Sequence, residues 1–233
     1  MSSADQPRSA RARVRRQPDL AAYDRATIEA VLDAGLVGHL GVVDGRQPFV
    51  LPVGYARVGD EVLIHGSTAS RTFKLAAAGN PVCLTVTLLD AMVFARSVFN
   101  SSMNYRSVVV LGTASEVPDD NKLEALRLLS ERLAPGHWES VRRPSAQELK
   151  ATSVLLLPLD EASAKVSAGP PQDDAEDLAT DVWAGVVPVR QKVETPEPAP
   201  ELAPGRPVPA YVQQWRPEAR PHDISSGSPT ATG

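Results

Sequence analysis

The ten residues HGSTASRTFK, His65 to Lys74, gather an imidazole, four hydroxyls and two cations in one short stretch. They follow an apolar run and open a segment with helical spacing. A strand that turns directly into a helix leaves the N–H groups of the first helical turn without partners, and the helix dipole adds partial positive charge there. Gly66 would let a ligand approach the backbone closely. Ser67, Thr68 and Ser70 add hydroxyl donors. Arg71 and Lys74, three apart, share a helix face, where Arg can grip a phosphate with two bonds and Lys supplies a point charge. This set suits a phosphate without a Walker pattern. It also suits a capped helix with two solvated cations. The residues alone leave both readings open. They leave His65 as a group lining a ligand or as the polar face of a strand.

Other chemistry is sparse. His39, His65, His137 and His222 show no metal-ligand spacing, so no metal is expected. His39 reads as a polar residue on a strand face. Cys83 is the sole cysteine, which excludes an internal disulfide, and its place in VCLTV favours a buried, inert thiol. There is no GxGxxG and no strict βαβ alternation, which argues against a Rossmann fold. The net charge of −4 argues against nucleic-acid binding. Five arginines, Arg8, Arg11, Arg13, Arg15 and Arg16, gather near the N-terminus. They read as a solvated arm or one laid on the fold's own acids. No apolar stretch approaches 18 residues and no signal peptide is evident, so a cytoplasmic protein without membrane contact is expected.

These residues need elements to position them. YDRATIEAVLDAG, 23–35, reads as a helix capped by Asp24 and stopped by Gly35. Two turn signals, Asp44-Gly45 and Gly59-Asp60, separate three antiparallel strands near 37–43, 47–57 and 61–66. A short helix over 70–79 ends at Gly79 and Pro81. β-rich runs follow at 82–97 and 105–117, joined by the loop VFNSSMN. Leu123, Leu126, Leu129 and Leu133 mark an amphipathic helix over 121–133. A short helix at 145–151 precedes one last long strand, 152–167. VWAGVVPVRQKV is apolar enough to dock on the domain. Three regions are expected: an Arg-rich arm, 1–22, a folded domain, 23–193, and a Pro-rich extended tail, 194–233, which Tyr211 and Trp215 could pin. The fold class is mainly β, with about six antiparallel strands in a small barrel and helices around it.

The order DGRQPFVLPVGYAR, GDEVLIHGSTASRTFK, NPVCLTVTLLD, SMNYRSVVVLGTA resembles the pyridoxamine 5′-phosphate oxidase-like flavoproteins. It is most similar to their flavin-nucleotide-binding branch, related to nitroimidazole-resistance reductases. The likeness runs from about Tyr23 to Val189. It implies a six-stranded split β-barrel, a homodimer, and FMN in a cleft between subunits. It places the phosphate at His65, Gly66, Ser67, Ser70, Arg71 and Lys74. It sets Pro52, Val53, Gly54 and Tyr55 toward the isoalloxazine ring. Asn104, Tyr105, Arg106 and Ser107 would approach the flavin from the partner subunit or cap the cleft. Trp183 lies near the ring or packs in the core. Arg106 is either a cation near flavin N1 or half of an ion pair. The chain departs from the family's pattern at Asn100 and Ser101, where a His-His pair is usual, and at Ala91, where Gly is.

The implied function is an FMN oxidoreductase that takes hydride from NAD(P)H and passes electrons to a small acceptor such as a nitroaromatic, a quinone or oxygen. The alternatives are a flavin store or sensor without turnover, and a relative of the same barrel using deazaflavin F420 or haem. A PLP-salvage oxidase ranks below these.

Overall fold

The computed structural model describes residues 6–217. His222 and the end of the tail lie outside the described residues. The helix α1 spans Arg25–Ala34, and Asp24 caps it by accepting from the Thr27 N–H at 2.8 Å. Val37–Asp44 (β2) and Gln47–Val58 (β3) form a hairpin, and Glu61–Ser67 (β4) adds to β3. Helix α2, Arg71–Ala77, leads into the long strand β5, Pro81–Phe94, which pairs with β6, Ser102–Thr113. Helix α3 covers Asp119–Leu133 and α4 covers Ala146–Ala151.

The expected last strand is two strands, β8 (Thr152–Pro158) and β9 (Glu161–Ser167), with a reversal at Leu159-Asp160. Neither turn residue is Gly or Pro, so the break carries no strong sequence signal. Short strands complete the set: β1 (Ala21–Ala22) on β9, β7 (Ser115–Glu116) on β8, and β10 (Gly185–Pro188) on β5. The sheet therefore has ten strands among the described residues, in the order β1-β9-β6-β5-β2-β3-β4-β8-β7 with β10 on β5. The six expected strands correspond to the long ones, with the last of them divided. Every strand pairing among the described residues is antiparallel.

The sheet curls around one core. Leu40, Tyr55, Ile64, Leu84, Val110, Leu155 and Ala164 come from seven different strands and belong to a single buried cluster with α1 and Phe73 of α2. A second, smaller cluster sits on the other side of the sheet. There α3 covers Ala56, Leu63 and Val154 with Ala125 and Leu129.

The C-terminal end of α1 joins these layers. Tyr55 is fully buried and its hydroxyl donates to the Leu32 carbonyl at 2.6 Å. Burial raises the phenol pKa above its ordinary value, so it stays a neutral donor. Arg132 of α3, itself buried, donates to the carbonyls of Asp33 and Gly35. A cation is well placed there, since helix C-terminal carbonyls lack intrahelical partners and carry partial negative charge. Arg57 of β3 forks onto Asp33 at 2.8 and 2.6 Å.

The N-terminal arm lies on the fold. Arg8 pairs with Asp160 and Arg11 with Glu161. Tyr211 packs against Gly136 and His137, and Trp215 Nε1 donates to the Leu133 carbonyl at 2.8 Å. No helix of the described residues is long and apolar enough to cross a membrane.

Tyr55→Phe tests the α1 clamp. Losing the hydroxyl strands a buried carbonyl, which costs roughly 1–3 kcal/mol. The urea midpoint should fall accordingly with an unchanged slope. An unchanged midpoint would show that water or Arg132 replaces the hydroxyl.

Candidate functional site

Alternate residues of a strand point to opposite faces, so the strand register decides which candidate residues can share a ligand. Val109, Thr85, His39 and Pro52 form one row across β6, β5, β2 and β3. Leu111, Cys83, Gly41 and Val50 form the next. Both rows face away from the core, and His65 and Ser67 share that outer face on β4. This face is apolar and open: Val37, Val43 and Val50 are each half or more exposed. His39 and His65 are both exposed, and neither imidazole makes a hydrogen bond among the described residues.

The helix start behaves only partly as its sequence suggests. Ser67 Oγ accepts from the Ala69 N–H, and Thr68 Oγ1 donates to the Ala151 carbonyl. Ser70 sits at the N-cap but its side chain makes no capping bond, so that hydroxyl is available. Lys74 is exposed and makes no ion pair among the described residues. Arg71 is exposed too, but leans away from Lys74. It lies 3.8 Å above the Phe49 ring and 3.5 Å from an Asp44 oxygen at the β2–β3 turn. Such an exposed pair is weak and can exchange for a stronger anion. Gly66 has a different reason from the one expected. A Cβ there would lie 2.3 Å from the Phe73 ring, so the glycine makes room for α2 to pack, not for a ligand.

His65 differs electrostatically from an ordinary surface imidazole. Part of its ring is open, yet the surrounding protein displaces enough water to hold its pKa below the usual histidine value. It is neutral at pH 7 and keeps a lone pair free.

Several expected contacts fall elsewhere. Val53 and Tyr55 point into the core, while Pro52 and Gly54, which alternate with them, face outward. Consecutive residues of β3 cannot all face one ring. Asn104 is buried and donates to the Gly169 carbonyl at 2.9 Å. Arg106 is forked onto Asp90 at 2.9 and 2.8 Å, the ion pair that was its second reading. Tyr105 and Ser107 alternate with these two and are half-buried. Trp183 is neither in the core nor near the helix start. It is 68% exposed and packs against Phe94 at the far end of β5, with ring centroids 6.3 Å apart.

The candidate residues thus form two groups in one chain. Arg71 reaches Asp44, whose end of β2 lies beside the start of β5 at Pro81. Asn104, Arg106 and Trp183 surround the other end of β5, near Asp90. Asp90 lies nine residue steps of extended strand beyond Pro81, roughly 30 Å. No single flavin mononucleotide touches both groups of one chain.

Sequence reasoning missed the β-bulge at Asp90. The β5–β6 register slips between Leu89 and Ala91 there, and the bulge turns the Asp90 carboxylate toward Arg106. A period-two scan over TLLDAMVF would have shown an Asp breaking the alternation.

A family model described as Pyridoxamine 5'-phosphate oxidase matches residues 24–166. The flavocytochrome Anf3 from Azotobacter vinelandii is 44% identical with a TM-score of 0.86, over 91% of this chain and 99% of that one. The FAD and haem binding protein from Mycobacterium smegmatis is 39% identical with a TM-score of 0.80, over 83% of this chain and 95% of that one. A protein described as a 5-nitroimidazole antibiotic resistance protein, from Bacteroides thetaiotaomicron, is 19% identical with a TM-score of 0.54, over 63% and 86% of the two chains, and shares the fold. A comparison with curated proteins finds no match.

The lowered His65 pKa has a measurable consequence. A histidine whose folded pKa lies below its unfolded one takes up fewer protons when folded. Its contribution to stability is intact above the ordinary pKa of about 6.5 and fades as pH falls below it. Lowering the pH from about 7.5 to 5 should therefore reduce the urea midpoint of the native protein more than that of His65→Gln. Equal losses would mean the ring is fully solvated.

Proposed function

We propose that this chain, which belongs to the pyridoxamine 5′-phosphate oxidase-like split-barrel family, is a redox protein that binds a flavin and a haem and works as a homodimer. The observation that carries this reading is the pair of exposed imidazoles, His39 and His65, on the same open apolar face as the helix start that carries Lys74 and Arg71. Two relatives with 44% and 39% identity, named as a flavocytochrome and as an FAD and haem binding protein, support it. The haem-using alternative drawn from the sequence thereby displaces the plain FMN reductase as the first reading.

The chain's residues fit such groups. Lys74, the Ser70 hydroxyl and the first-turn N–H groups of α2 would hold a flavin phosphate, with Arg71 moving from Asp44 to join them. That set accepts the phosphate next to the ribityl chain of either FMN or FAD, and the relative named for FAD favours FAD. His65 would ligate iron, because a neutral imidazole is the form that binds metal. Val37, Pro52 and Val50 would give a macrocycle an apolar bed. When bound, a flavin exchanges two electrons and a haem one, so the pair would link a hydride donor such as NAD(P)H to a small one-electron acceptor. The chain supplies placement, charge and water exclusion.

A second copy would complete the site. An antiparallel sheet in a monomer usually shows water a polar outer face. Here three valines stand half-exposed around His39. A homodimer on this face would bury them and bring the Tyr105–Ser107 end of one copy toward the helix start of the other.

The test begins with the absorption spectrum and light-scattering mass of the purified protein, then anaerobic addition of NADPH or NADH. Flavin bands with a Soret band, in a dimer, are expected. His65→Ala should cut the Soret absorbance per flavin at least tenfold and leave the flavin in place. Arg71→Ala with Lys74→Ala should weaken flavin at least tenfold, since each charge-assisted bond is worth about 1.5–3 kcal/mol. A colourless protein that takes up neither group would sink the whole reading. A flavin spectrum without a Soret band after haem addition would remove the haem and return the protein to a flavin reductase or, if NADPH and NADH leave it unbleached, a flavin carrier.

A further inference from the structure

We infer that the turn at the tip of the β5–β6 hairpin docks in trans, seating Val98 and Phe99 in the cleft of the N-terminal arm of a second copy of this chain. The inference rests on the homodimer reading, not on the flavin or the haem. It names the residues that join the ends of such a dimer.

The tip is held in place. The Ser101 hydroxyl accepts from the Ala95 N–H at 3.0 Å and donates to the Ser97 carbonyl at 2.9 Å, and Ser97 Oγ accepts from the Asn100 N–H at 3.1 Å. Arg96 donates to Asp173 from its backbone N–H and from its guanidinium, both at 2.6 Å, and Asn100 Nδ2 donates to Asp174. In this fixed turn Val98 and Phe99 are 95% and 92% exposed. Two adjacent apolar side chains that a pinned turn holds in water cannot fold back, so only a partner offsets the cost of exposing them. Their surroundings are acidic. Asp174, Glu176 and Asp181 are exposed on the segment bound to this turn, and Glu176 and Asp181 make no ion pair among the described residues. Such a tip suits an apolar cleft with a basic rim, and an anionic lipid surface repels it.

The arm offers that cleft. It measures about 580 Å³ and is lined by Pro7, Ala10, Val14 and Pro18 together with Arg13 and Arg15. The arm is fixed too: Arg8 and Arg11 pair with Asp160 and Glu161, Ala12 is buried, and the Val14 N–H donates to the Tyr23 hydroxyl at 2.9 Å. Arg13, Arg15 and Arg16 are exposed and make no ion pair among the described residues. A tip cannot reach the arm of its own chain. Glu161, where the arm is tied, lies opposite Leu111 of β6, nine residue steps of strand or roughly 30 Å from Ser102 at the base of the tip. Two copies related by a two-fold axis, with their strands running in opposite directions, bring each tip to the other's arm. Two equal contacts then close the assembly at two chains.

Sedimentation equilibrium of the purified protein, with whatever cofactors it carries, tests this. A dimer is expected. Phe99→Asp, at an exposed position, should weaken it at least tenfold and keep the native far-ultraviolet spectrum. Arg13→Glu with Arg15→Glu should also weaken it at least tenfold, and adding Glu176→Lys and Asp181→Lys should recover at least threefold. An equal mixture of the Phe99→Asp and the double-arginine variants should associate more tightly than either alone, because a mixed pair keeps one intact tip in one intact arm. A dimer that none of these variants weakens would overturn the inference and leave the homodimer standing. Weakening by Phe99→Asp alone would overturn it as well, since the tip would then be seated elsewhere than in the arm. A native monomer would overturn it together with the homodimer reading, and sedimentation of that monomer with phosphatidylcholine vesicles, lost in Phe99→Asp, would give the tip to a membrane.

Discussion

Each strand of a sheet has two faces, and one chain of this size closes only one of them fully. The inner face here is sealed by the curl of the sheet itself, with α1 and Phe73 of α2 as stoppers. The outer face receives α3 over Ala56, Leu63 and Val154 and little else. The rest of that face, around His39 and Pro52, stays open although its side chains are largely apolar. An interior can be filled by many combinations of Val, Leu and Ile. An apolar face left open is specific, because exposing it has a cost that only something bound to it can offset.

The clamp at the end of α1 makes this division possible. Tyr55 from β3, Arg132 from α3 and Arg57 from β3 all converge on the last turn of one helix. Two of them are buried, and their donors are matched to backbone carbonyls, so the low dielectric strengthens the contacts instead of penalising them. Gly35 sits in the same place with no room for a side chain, since a Cβ would lie 2.5 Å from Val86 and 2.6 Å from the Tyr55 hydroxyl. Because inner and outer layers are fixed to one point, the height of α3 over the sheet is fixed too. With it is fixed the part of the outer face left bare.

Local features of this fold were legible in the sequence and long-range ones were not. The cap at Asp24, the turns at Gly45 and Gly59, and the helical span of α3 depend on residues within a few positions of one another, although α3 buries Ala125, Leu129 and Arg132 and leaves Leu123 of the expected stripe exposed. The helix start at Ser70 was legible for the same reason. What the sequence could not show is where its two cations point. Arg71 is drawn to Phe49 and Asp44, which are distant in sequence. Gly66 looked like a ligand-facing glycine because its contact with Phe73 depends on how α2 folds back. The resemblance named runs of adjacent residues, such as Pro52, Val53 and Tyr55. The pleat then assigned them to opposite faces, and Tyr55 became the anchor of the core.

Arg106 shows why the remaining distinction matters. As a cation near a flavin it would favour a negatively charged ring, but its fork is already closed on Asp90. Recruiting it would require breaking two charge-assisted bonds and leaving a carboxylate beside the ligand, which would work against the same negative charge. Lys74 carries no such partner among the described residues, so its charge is available in full. The electrostatic weight of the proposed cofactor face therefore falls on the α2 end of the molecule.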